Sequence, residues 1–309
     1  MANKLYTDDQ ISRIQSLEPN LLINGNFDYW QRDEGPVAFT TLDYYAPDRW
    51  LVRKQGTSSS ATIELAESAD VLGNMVLFKS LDTTTKYFNL YQRIEARDME
   101  VLVGENVIFG CYVWTTSALE INCSAYTPNN APDVWSSDFL DLNYVGSQDT
   151  DSPGGEWVWC EYSFTVPADG VDGLMIGVRN SGSITAVESM WVKEARLHRG
   201  TSILPDYLIN TRTTEQEFAL CQRYFQYFTY GMAAYGSGGN NCVAFSEYPV
   251  QMRAIPTISG DTDAYYFPLA NCSTSTSFIP KVEGCTCYRV ATIGGHIQFS
   301  GYASADAEL

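Results

Sequence analysis

The chain has few of the side chains on which catalytic and nucleic-acid sites depend. Its 309 residues include 2 histidines, and 19 lysines and arginines stand against 37 aspartates and glutamates, a formal net charge of −18. Such a surface repels phosphate backbones, so the composition argues against nucleic acid as a partner. No apolar run is long enough to cross a bilayer, and residues 1–18 are polar, so we expect neither membrane insertion nor a signal peptide.

Motifs of the common hydrolases and nucleotide-binding enzymes are also missing. The sequence contains no GxSxG, no Walker loop and no HExxH. Only His198 and His296 could act as the base of a Ser-His-Asp site, and neither lies in a suitable context. A pair of carboxylates for glycoside cleavage stays open, because the spacing of the 37 acidic residues in space is unknown. We therefore expect a protein that is not an enzyme and that has no cofactor.

The eight cysteines do not form a metal-binding pattern. No CxxC pair occurs, and two histidines give a zinc site little support, so no metal is predicted. Several cysteines lie inside apolar stretches such as FGCYVW and WVWCEY. This context is typical of small buried thiols in a protein made in a reducing cytoplasm.

Aromatic residues and short apolar runs are abundant instead. The chain has 20 tyrosines and 7 tryptophans, and strands favour both types. Over residues 20–200, runs of five to ten strand-like residues alternate with polar turns, beginning with NLLINGNFDYWQR, whose residues 21–23 we interpret as an opening strand before an Asn-Gly turn. Many short strands with regular turn signals predict a β-sandwich or jelly roll over residues 20–200.

Two segments of this region carry more specific expectations. In EWVWCEYSFTV, period-two alternation places Trp157, Trp159, Tyr162 and Phe164 on one face if a single irregularity follows Cys160. The segment GSQDTDSPGGE, residues 146–156, is rich in turn residues and predicts an exposed loop.

The first 19 residues predict a short helical anchor. Thr7 can cap a helix over residues 7–17, and Pro19 ends it. Ile11, Ile14 and Leu17 fall on one stripe, and a helix this short needs a surface to be stable. That surface is either the protein's own sandwich or, as we expect, its copies in an oligomer or a larger particle.

The chain changes character after residue 200. Residues 201–213 predict a linker, and Thr214 and Glu217 then form a capping box at the start of a short helix, TEQEFALCQRYFQYF. Strand-like segments follow, among them NCVAFSEYPV and HIQFSGYASADAEL. The predicted fold is therefore all-β, with two β-sandwich or jelly-roll domains over residues 20–200 and 214–309, a short N-terminal helix and a short helix between the domains.

The order of these motifs resembles a known family. NLLINGNFDYWQR, YAPDRWLV, YQRIEARDMEVLVGENVIFGCYVWT and EWVWCEYSFTVPADGVDGLMIGV are similar, in that order, to the jelly-roll carbohydrate-binding modules often appended to glycoside hydrolases, in the variant found in bacteriophage virion proteins. ARLHRGTSILPDY resembles the closing strand, and TEQEFALCQRYFQYF and YPVQMRAIPTIS resemble blocks that follow the module in phage tail-fibre proteins. The resemblance covers nearly all of the chain after residue 19.

The resemblance implies a virion protein of the fibre or receptor-binding kind. Such a protein would be a homotrimer, would contact other virion proteins through its N-terminal segment and would bind a host surface glycan. The alternative is a capsid decoration or head-fibre protein with a structural role. Modules of this type often hold a structural calcium, for which Asp28 matches one ligand, but the closing strand offers Glu194 and no pair of aspartates.

Two aromatic residues are the predicted glycan contacts. Trp135 in APDVWSSDF and Tyr126 in AYTPNN lie in turn-flanked, polar contexts, so we expect them to be more exposed than Trp114 or Trp159. An exposed ring can stack on the apolar face of a pyranose. The alternative is that each is a loop aromatic packed on the sandwich.

Overall fold

A computed structural model of the chain describes residues 20–32, 34–38, 44–55, 61–67, 74–81, 87–129, 131–136, 141–181, 188–201, 212–236, 241–261, 277–290 and 295–308. Regular structure in these residues is almost entirely antiparallel β, which confirms the predicted all-β sandwich class. The chain divides into two compact units, the first ending at Thr214 and the second spanning Glu215–Glu308.

The first unit is a sandwich of two six-stranded sheets. Its described strands are β1 (Val37–Ala38), β2 (Tyr44–Tyr45), β3 (Trp50–Gln55), β4 (Ala61–Glu67), β5 (Asn74–Ser80), β6 (Tyr87–Ile94), β7 (Asn106–Thr115), β8 (Leu119–Thr127), β9 (Asn143–Ser152), β10 (Trp157–Thr165), β11 (Leu174–Asn180) and β12 (Ser189–Arg199). One sheet has the order β1-β4-β5-β12-β7-β10 and the other β2-β3-β6-β11-β8-β9. A one-turn helix α1 (Ala96–Met99) and a 3-10 turn (Ala168–Asp172) connect strands.

Strand alternation places the core between the two sheets. On β7, Phe109, Cys111 and Val113 are buried in the core, whereas Tyr112 and Trp114 lie on the outward side. Six cysteines in the described parts of the chain are buried, as expected for small apolar thiols: Cys111, Cys123, Cys160, Cys221, Cys285 and Cys287. Burial raises the pKa of the Cys160 thiol, so this group stays protonated in the folded protein.

Three expectations for the first unit are wrong in detail. The first is the opening strand, because residues 21–23 form bends that dock on β12 through one backbone hydrogen bond, from the Leu21 amide to the Leu197 carbonyl. The Asn24 side-chain amide fixes this segment by donating to the carbonyl oxygens of Tyr29 and Asp48. The second is the loop predicted over residues 146–156, because residues 146–152 belong to the edge strand β9, whose acidic side chains suit an exposed sheet edge. The third concerns the aromatic residues of β10.

The four aromatic residues of β10 do not share a face. β10 pairs with β7 without a register shift from residue 157 to 165. Alternation therefore continues through Cys160, so that Trp157 and Trp159 lie outward and Phe164 packs in the core with Tyr162 against it. The predicted irregularity after Cys160 is absent, and two tryptophans therefore lie on the outward surface of the sheet.

The second unit is a smaller sandwich that follows helix α2 (Thr214–Gln222). Its described strands are β13 (Phe225–Gly236), β14 (Asn241–Glu247), β15 (Thr257–Asp261), β16 (Ser277–Pro280), β17 (Gly284–Val290) and β18 (Gly295–Asp306). They form two three-stranded sheets, β13-β18-β15 and β14-β17-β16. Phe228 and Ala303 from one sheet and Cys285 and Cys287 from the other meet in its core.

The predicted N-terminal helix lies outside the described residues, and so do Ile11, Ile14, Leu17 and most of the predicted linker, residues 201–213. Neither helix in the described part of the chain has the length and apolar character needed to cross a membrane.

Candidate functional site

The outward side of the sheet β2-β3-β6-β11-β8-β9 carries an ordered set of polar and aromatic side chains. The registers of five adjacent strands align these outward residues in three rows across the sheet. The polar row contains Arg53, Asn89, Arg179, Asn122 and Asp149; the middle row contains Leu51, Tyr91, Gly177, Ser124 and Ser147; the aromatic row contains Arg93, Met175, Tyr126 and Tyr144. We call this surface the tyrosine face.

Three side chains of the polar row, those of Arg179, Asn122 and Asp149, hydrogen-bond to one another along the row. Arg179 donates from Nε to Asn122 Oδ1 over 3.2 Å, and Asn122 donates from Nδ2 to Asp149 Oδ1 over 2.7 Å. Asn89 donates to the Arg53 carbonyl oxygen over 3.0 Å. Since neighbouring strands lie about 4.8 Å apart, five strands carry this line of guanidinium, amide and carboxylate groups over about 19 Å.

The middle row is built around the absence of a side chain at Gly177. A Cβ at this position would lie 2.0 Å from the Leu90 carbonyl oxygen and 2.5 Å from Cδ1 of Tyr91. The Tyr91 ring uses this space, and its hydroxyl shares a 3.0 Å hydrogen bond with Ser124 Oγ. Burial raises the pKa of Tyr91 above its ordinary value, so the phenol is a neutral, fixed hydrogen-bonding group at neutral pH.

The aromatic row combines a buried ring with an exposed one. Tyr126 packs edge-on against Tyr91 at 6.1 Å between ring centroids and lies 5.5 Å from Tyr144. Tyr144 is 59% exposed and donates its hydroxyl hydrogen to Ser147 Oγ over 2.6 Å. An accessible phenol face therefore lies beside the small side chains of the middle row.

Arg93 links the aromatic row to two further rings. Its Nη1 donates to the Tyr45 hydroxyl over 3.3 Å, and its guanidinium carbon lies 5.5 Å from the centre of the Trp135 ring. Trp135 packs on the cluster formed by Leu51, Tyr91, Tyr126, Leu142 and Met175. Its indole Nε1 is buried and has no hydrogen-bond acceptor among the described residues.

The structure brings the two predicted glycan contacts, Tyr126 and Trp135, into one cluster. The exposure expected of Tyr126 is wrong, because the residue lies on β8 between β11 and β9 and is only 7% exposed. Trp135 is partly buried, as are Trp114 and Trp159, with which it was contrasted. Whether either residue contacts a glycan stays a prediction.

Tyr91, Tyr144 and the polar row were missed in the sequence. Tyr144 precedes the segment that was predicted as a loop, and recognition of β9 as an edge strand would have placed it on the same face as Tyr126. The polar row joins residues from five strands, and no local pattern reveals such an alignment before the strand order is known.

The outward side of the other sheet is aromatic in a different way. Its strands β10, β7 and β12 align one row of tryptophans and, beside it, a mixed row. The first row contains Trp157, Trp114 and Trp191, and the second contains Trp159, Tyr112 and Lys193. We call this surface the tryptophan face.

The aromatic rings of the tryptophan face contact other side chains of the same face. Trp114 and Trp191 pack edge to face at 4.5 Å between ring centroids, with an interplanar angle of 87°. Lys193 Nζ lies 4.6 Å from the centre of the Trp157 ring, and its side chain is largely buried. Each ring therefore packs against a neighbouring ring or a cationic side chain of the same sheet.

The residues considered for calcium have other partners. Asp28 accepts a 3.0 Å hydrogen bond from the Asn74 side chain, and Glu194 pairs with Arg196 at 2.7 Å and with Lys193 at 3.7 Å. Within the described ranges, no three His, Cys, Asp or Glu side chains are grouped so that they could hold a metal ion.

Comparisons with known proteins give only remote similarities. No protein-family model matches the chain. No curated protein matches it. Among solved structures, a CBM4 module is 12% identical and covers 57% of this chain and 98% of its own, with a TM-score of 0.37. TmCBM61 in complex with β-1,4-galactotriose is 14% identical, covers 59% of this chain and 100% of its own, and has a TM-score of 0.35.

The enzymatically active domain of tailspike protein 4 of bacteriophage CBA120 is also similar, at 14% identity and a TM-score of 0.38. That similarity covers 59% of this chain and 21% of the tailspike chain. At these scores the similarities carry no argument about the site, and the function must be argued from the tyrosine face itself.

Proposed function

We propose that the protein is a virion protein of the fibre or receptor-binding kind that attaches a phage particle to glycans on the host surface. The observation that carries the proposal is the tyrosine face, where a line of hydrogen-bonding side chains runs beside aromatic rings. The order of sequence motifs that resembles phage carbohydrate-binding modules supports the virion location. The role is binding and includes no catalysis.

Sugar recognition needs both components of this face. Hydroxyl groups of a saccharide pair with planar donors and acceptors such as those of Arg179, which is partly exposed, and Asp149, which is exposed. Asn122 between them is buried and holds both in place through its hydrogen bonds. The apolar face of a pyranose packs on an aromatic ring, for which Tyr144 is accessible. Because the polar row is already held by its own hydrogen bonds, binding orders few additional side chains.

Oligomerisation would compensate for weak binding at each site. Linking several sites turns the second and third binding events into intramolecular ones and raises overall affinity without new contacts. We therefore propose a homotrimer whose N-terminal segment contacts other virion proteins.

The glycan proposal is tested by affinity electrophoresis of the full chain in gels that contain purified bacterial lipopolysaccharide, bacterial capsule, xylan or β-1,4-galactan. We expect retardation by at least one polysaccharide and its loss in Tyr144→Ala. Tyr227→Ala, on the outward side of β13, is the matched control because Tyr227 is 54% exposed and lies in the second unit.

Unretarded migration of the wild type in all four gels, or equal retardation of both variants, would refute glycan binding at the tyrosine face. The virion role is tested separately by labelling assembled particles with an antibody to this chain. Signal on the tail supports the fibre role, whereas signal on the head supports the alternative of a capsid decoration or head-fibre protein.

A further inference from the structure

Strand β9 contains a bulge directly beside Tyr144. Ala125 of β8 lies opposite Gly146. The next residue of β8, Tyr126, lies opposite Tyr144, so the pairing of the two strands skips Val145. A bulge of this kind adds one residue to one strand and re-aims the side chains that follow it.

The bulge determines which side chain of this segment faces outward. Asp149 and Ser147 lie outward, and strict alternation would next place Val145 outward and Tyr144 inward. Instead Val145 packs against the core of the sandwich, and Tyr144 is 59% exposed beside Tyr126. The accessible ring on which the glycan proposal depends therefore faces outward because of the bulge.

Tyr162 of β10 reaches this bulge from the other sheet. β9 and β10 are each the last strand of their sheet, and the Tyr162 ring packs against the core and stacks on Phe164 at 4.9 Å between ring centroids. A Cβ at Gly146 would lie 2.1 Å from the Tyr162 hydroxyl oxygen and 3.1 Å from Cζ of the same ring. The hydroxyl group therefore occupies the space that a side chain at residue 146 would need.

The protonation of Tyr162 is compatible with this contact. Burial raises the pKa of Tyr162, and the nearby Tyr144 phenol raises it further. At neutral pH the group is therefore a neutral phenol, which can pack against the backbone of Gly146 without the cost of burying a charge.

We infer that Tyr162 is a positioning residue for the tyrosine face. Its hydroxyl group packs on Gly146, holds the bulge of β9 in place and thereby keeps the Tyr144 ring outward. A phenylalanine ring could stack on Phe164 equally well, so the hydroxyl group has a use beyond core packing. The inference rests on the proposed function, because the orientation of Tyr144 affects recognition only if the tyrosine face binds the glycan.

A double-mutant cycle in the full chain tests the inference, with the one of the four polysaccharides that retards the wild type most. Tyr162→Phe leaves the ring but removes the hydroxyl group, and we expect retardation to weaken about threefold because Tyr144 is less ordered before binding. Gly146→Ala places a methyl group against the hydroxyl and should weaken retardation more. In the Tyr162→Phe background the nearest remaining atom is Cζ, at 3.1 Å, so the loss from Gly146→Ala should be at least about twofold smaller.

Two control variants separate this effect from general ones. Gly155→Ala is matched to Gly146→Ala, because both glycines have a positive φ, 78° and 154°, but a Cβ at Gly155 would meet no atom within 4 Å. Tyr227→Phe is matched to Tyr162→Phe and changes an exposed tyrosine of the second unit. We expect retardation of both controls to equal that of the wild type.

Carbene footprinting without polysaccharide measures the position of Tyr144 directly and keeps the inference testable if Gly146→Ala does not fold. In folded Tyr162→Phe we expect Tyr144 to be labelled less and Val145 more than in the wild type, and Tyr227 to be labelled equally. A contribution of Tyr162 to stability alone would lower the free energy of unfolding and leave this labelling unchanged.

Unchanged labelling of Tyr144 in Tyr162→Phe, or an equal loss from Gly146→Ala in both backgrounds, would overturn the inference. Altered labelling with unchanged retardation would show instead that Tyr162 positions Tyr144 but that Tyr144 does not contact the glycan. If no polysaccharide retards the wild type, the glycan proposal fails, and the labelling still decides whether Tyr162 positions Tyr144.

Discussion

The two outward faces of the first unit use aromatic residues for different purposes. On the tryptophan face, rings pack edge to face and cations lie over them, as Lys193 does over Trp157, so the groups satisfy one another. On the tyrosine face, three polar side chains are hydrogen-bonded along one row, aromatic rings pack in another, and Tyr144 remains accessible. Aromatic content alone therefore does not identify a binding face, and the glycan proposal rests on the separation of polar and aromatic rows.

On the proposed function, the tryptophan face contributes to stability and the tyrosine face to recognition. Each face has a glycine within a strand, Gly177 in the tyrosine face and Gly110 in the tryptophan face, and an aromatic ring lies over each glycine. They can therefore be compared by matched substitutions, taken from the largest expected effect to the smallest.

The largest effect is expected from alanine at the two glycines. At Gly177 a methyl group would overlap the Leu90 carbonyl oxygen, at 2.0 Å, and the Cα of Tyr91, so backbone must move. At Gly110 it would meet the Trp159 ring, at 2.3 Å, and this partly exposed side chain can move outward. We expect Gly177→Ala to lower the free energy of unfolding by about 3 kcal/mol and Gly110→Ala by about 1 kcal/mol.

Urea denaturation of both variants measures this difference. Equal losses would show that Tyr91 and the adjoining backbone are no more tightly constrained than the Trp159 ring, and the contrast between the faces would be lost.

A smaller effect is expected at alkaline pH on the tyrosine face. Burial raises the pKa of Tyr91 above 10.0, its value in the unfolded chain, so the folded state retains this proton longer. The stabilisation is complete below pH 10 and is lost as pH rises toward the folded pKa, by about 1.4 kcal/mol per pH unit.

Denaturation curves measured between pH 9 and 11.5 should therefore show that the free energy of unfolding of Tyr91→Phe declines less steeply above pH 10 than that of the wild type. Parallel declines would contradict a buried, neutral phenol at the centre of the face.

The smallest effect is expected from Trp191→Ala on the tryptophan face. This change removes the edge-to-face pair with Trp114, and an aromatic pair contributes about 1 kcal/mol beyond its buried area. Thermal denaturation should show the loss of stability, while retardation in polysaccharide gels should stay at the wild-type value. If a folded Trp191→Ala variant were retarded less than the wild type, the tryptophan face would take part in recognition and the proposed division between the faces would be wrong.

The strands of the first unit could be predicted from the sequence because their periodicity is local. The alternation of Phe109, Cys111 and Val113 with Tyr112 and Trp114 needs no knowledge of the partner strands. The prediction for β10 failed because it assumed an irregularity after Cys160. The regular register instead separates Trp157 and Trp159, which contact rings and cations across the sheet, from Tyr162 and Phe164.

The candidate site could be predicted only in part. Tyr126 and Trp135 were predicted from local context and the fold places them in one cluster, but the residues beside them come from other strands. Asn89, Arg179 and Asn122 are unremarkable in the sequence and become a row only through the strand order β6-β11-β8. Strand order depends on long-range pairing, which periodicity does not encode.

Hydroxyl-radical footprinting of the full chain, with and without the polysaccharide that retards it most, tests the central claim most directly. If the tyrosine face binds the glycan, Tyr144 and Trp135 become protected from the radical while Trp157 and Trp191 keep their reactivity. Protection of Trp157 and Trp191, with Tyr144 unchanged, would contradict it.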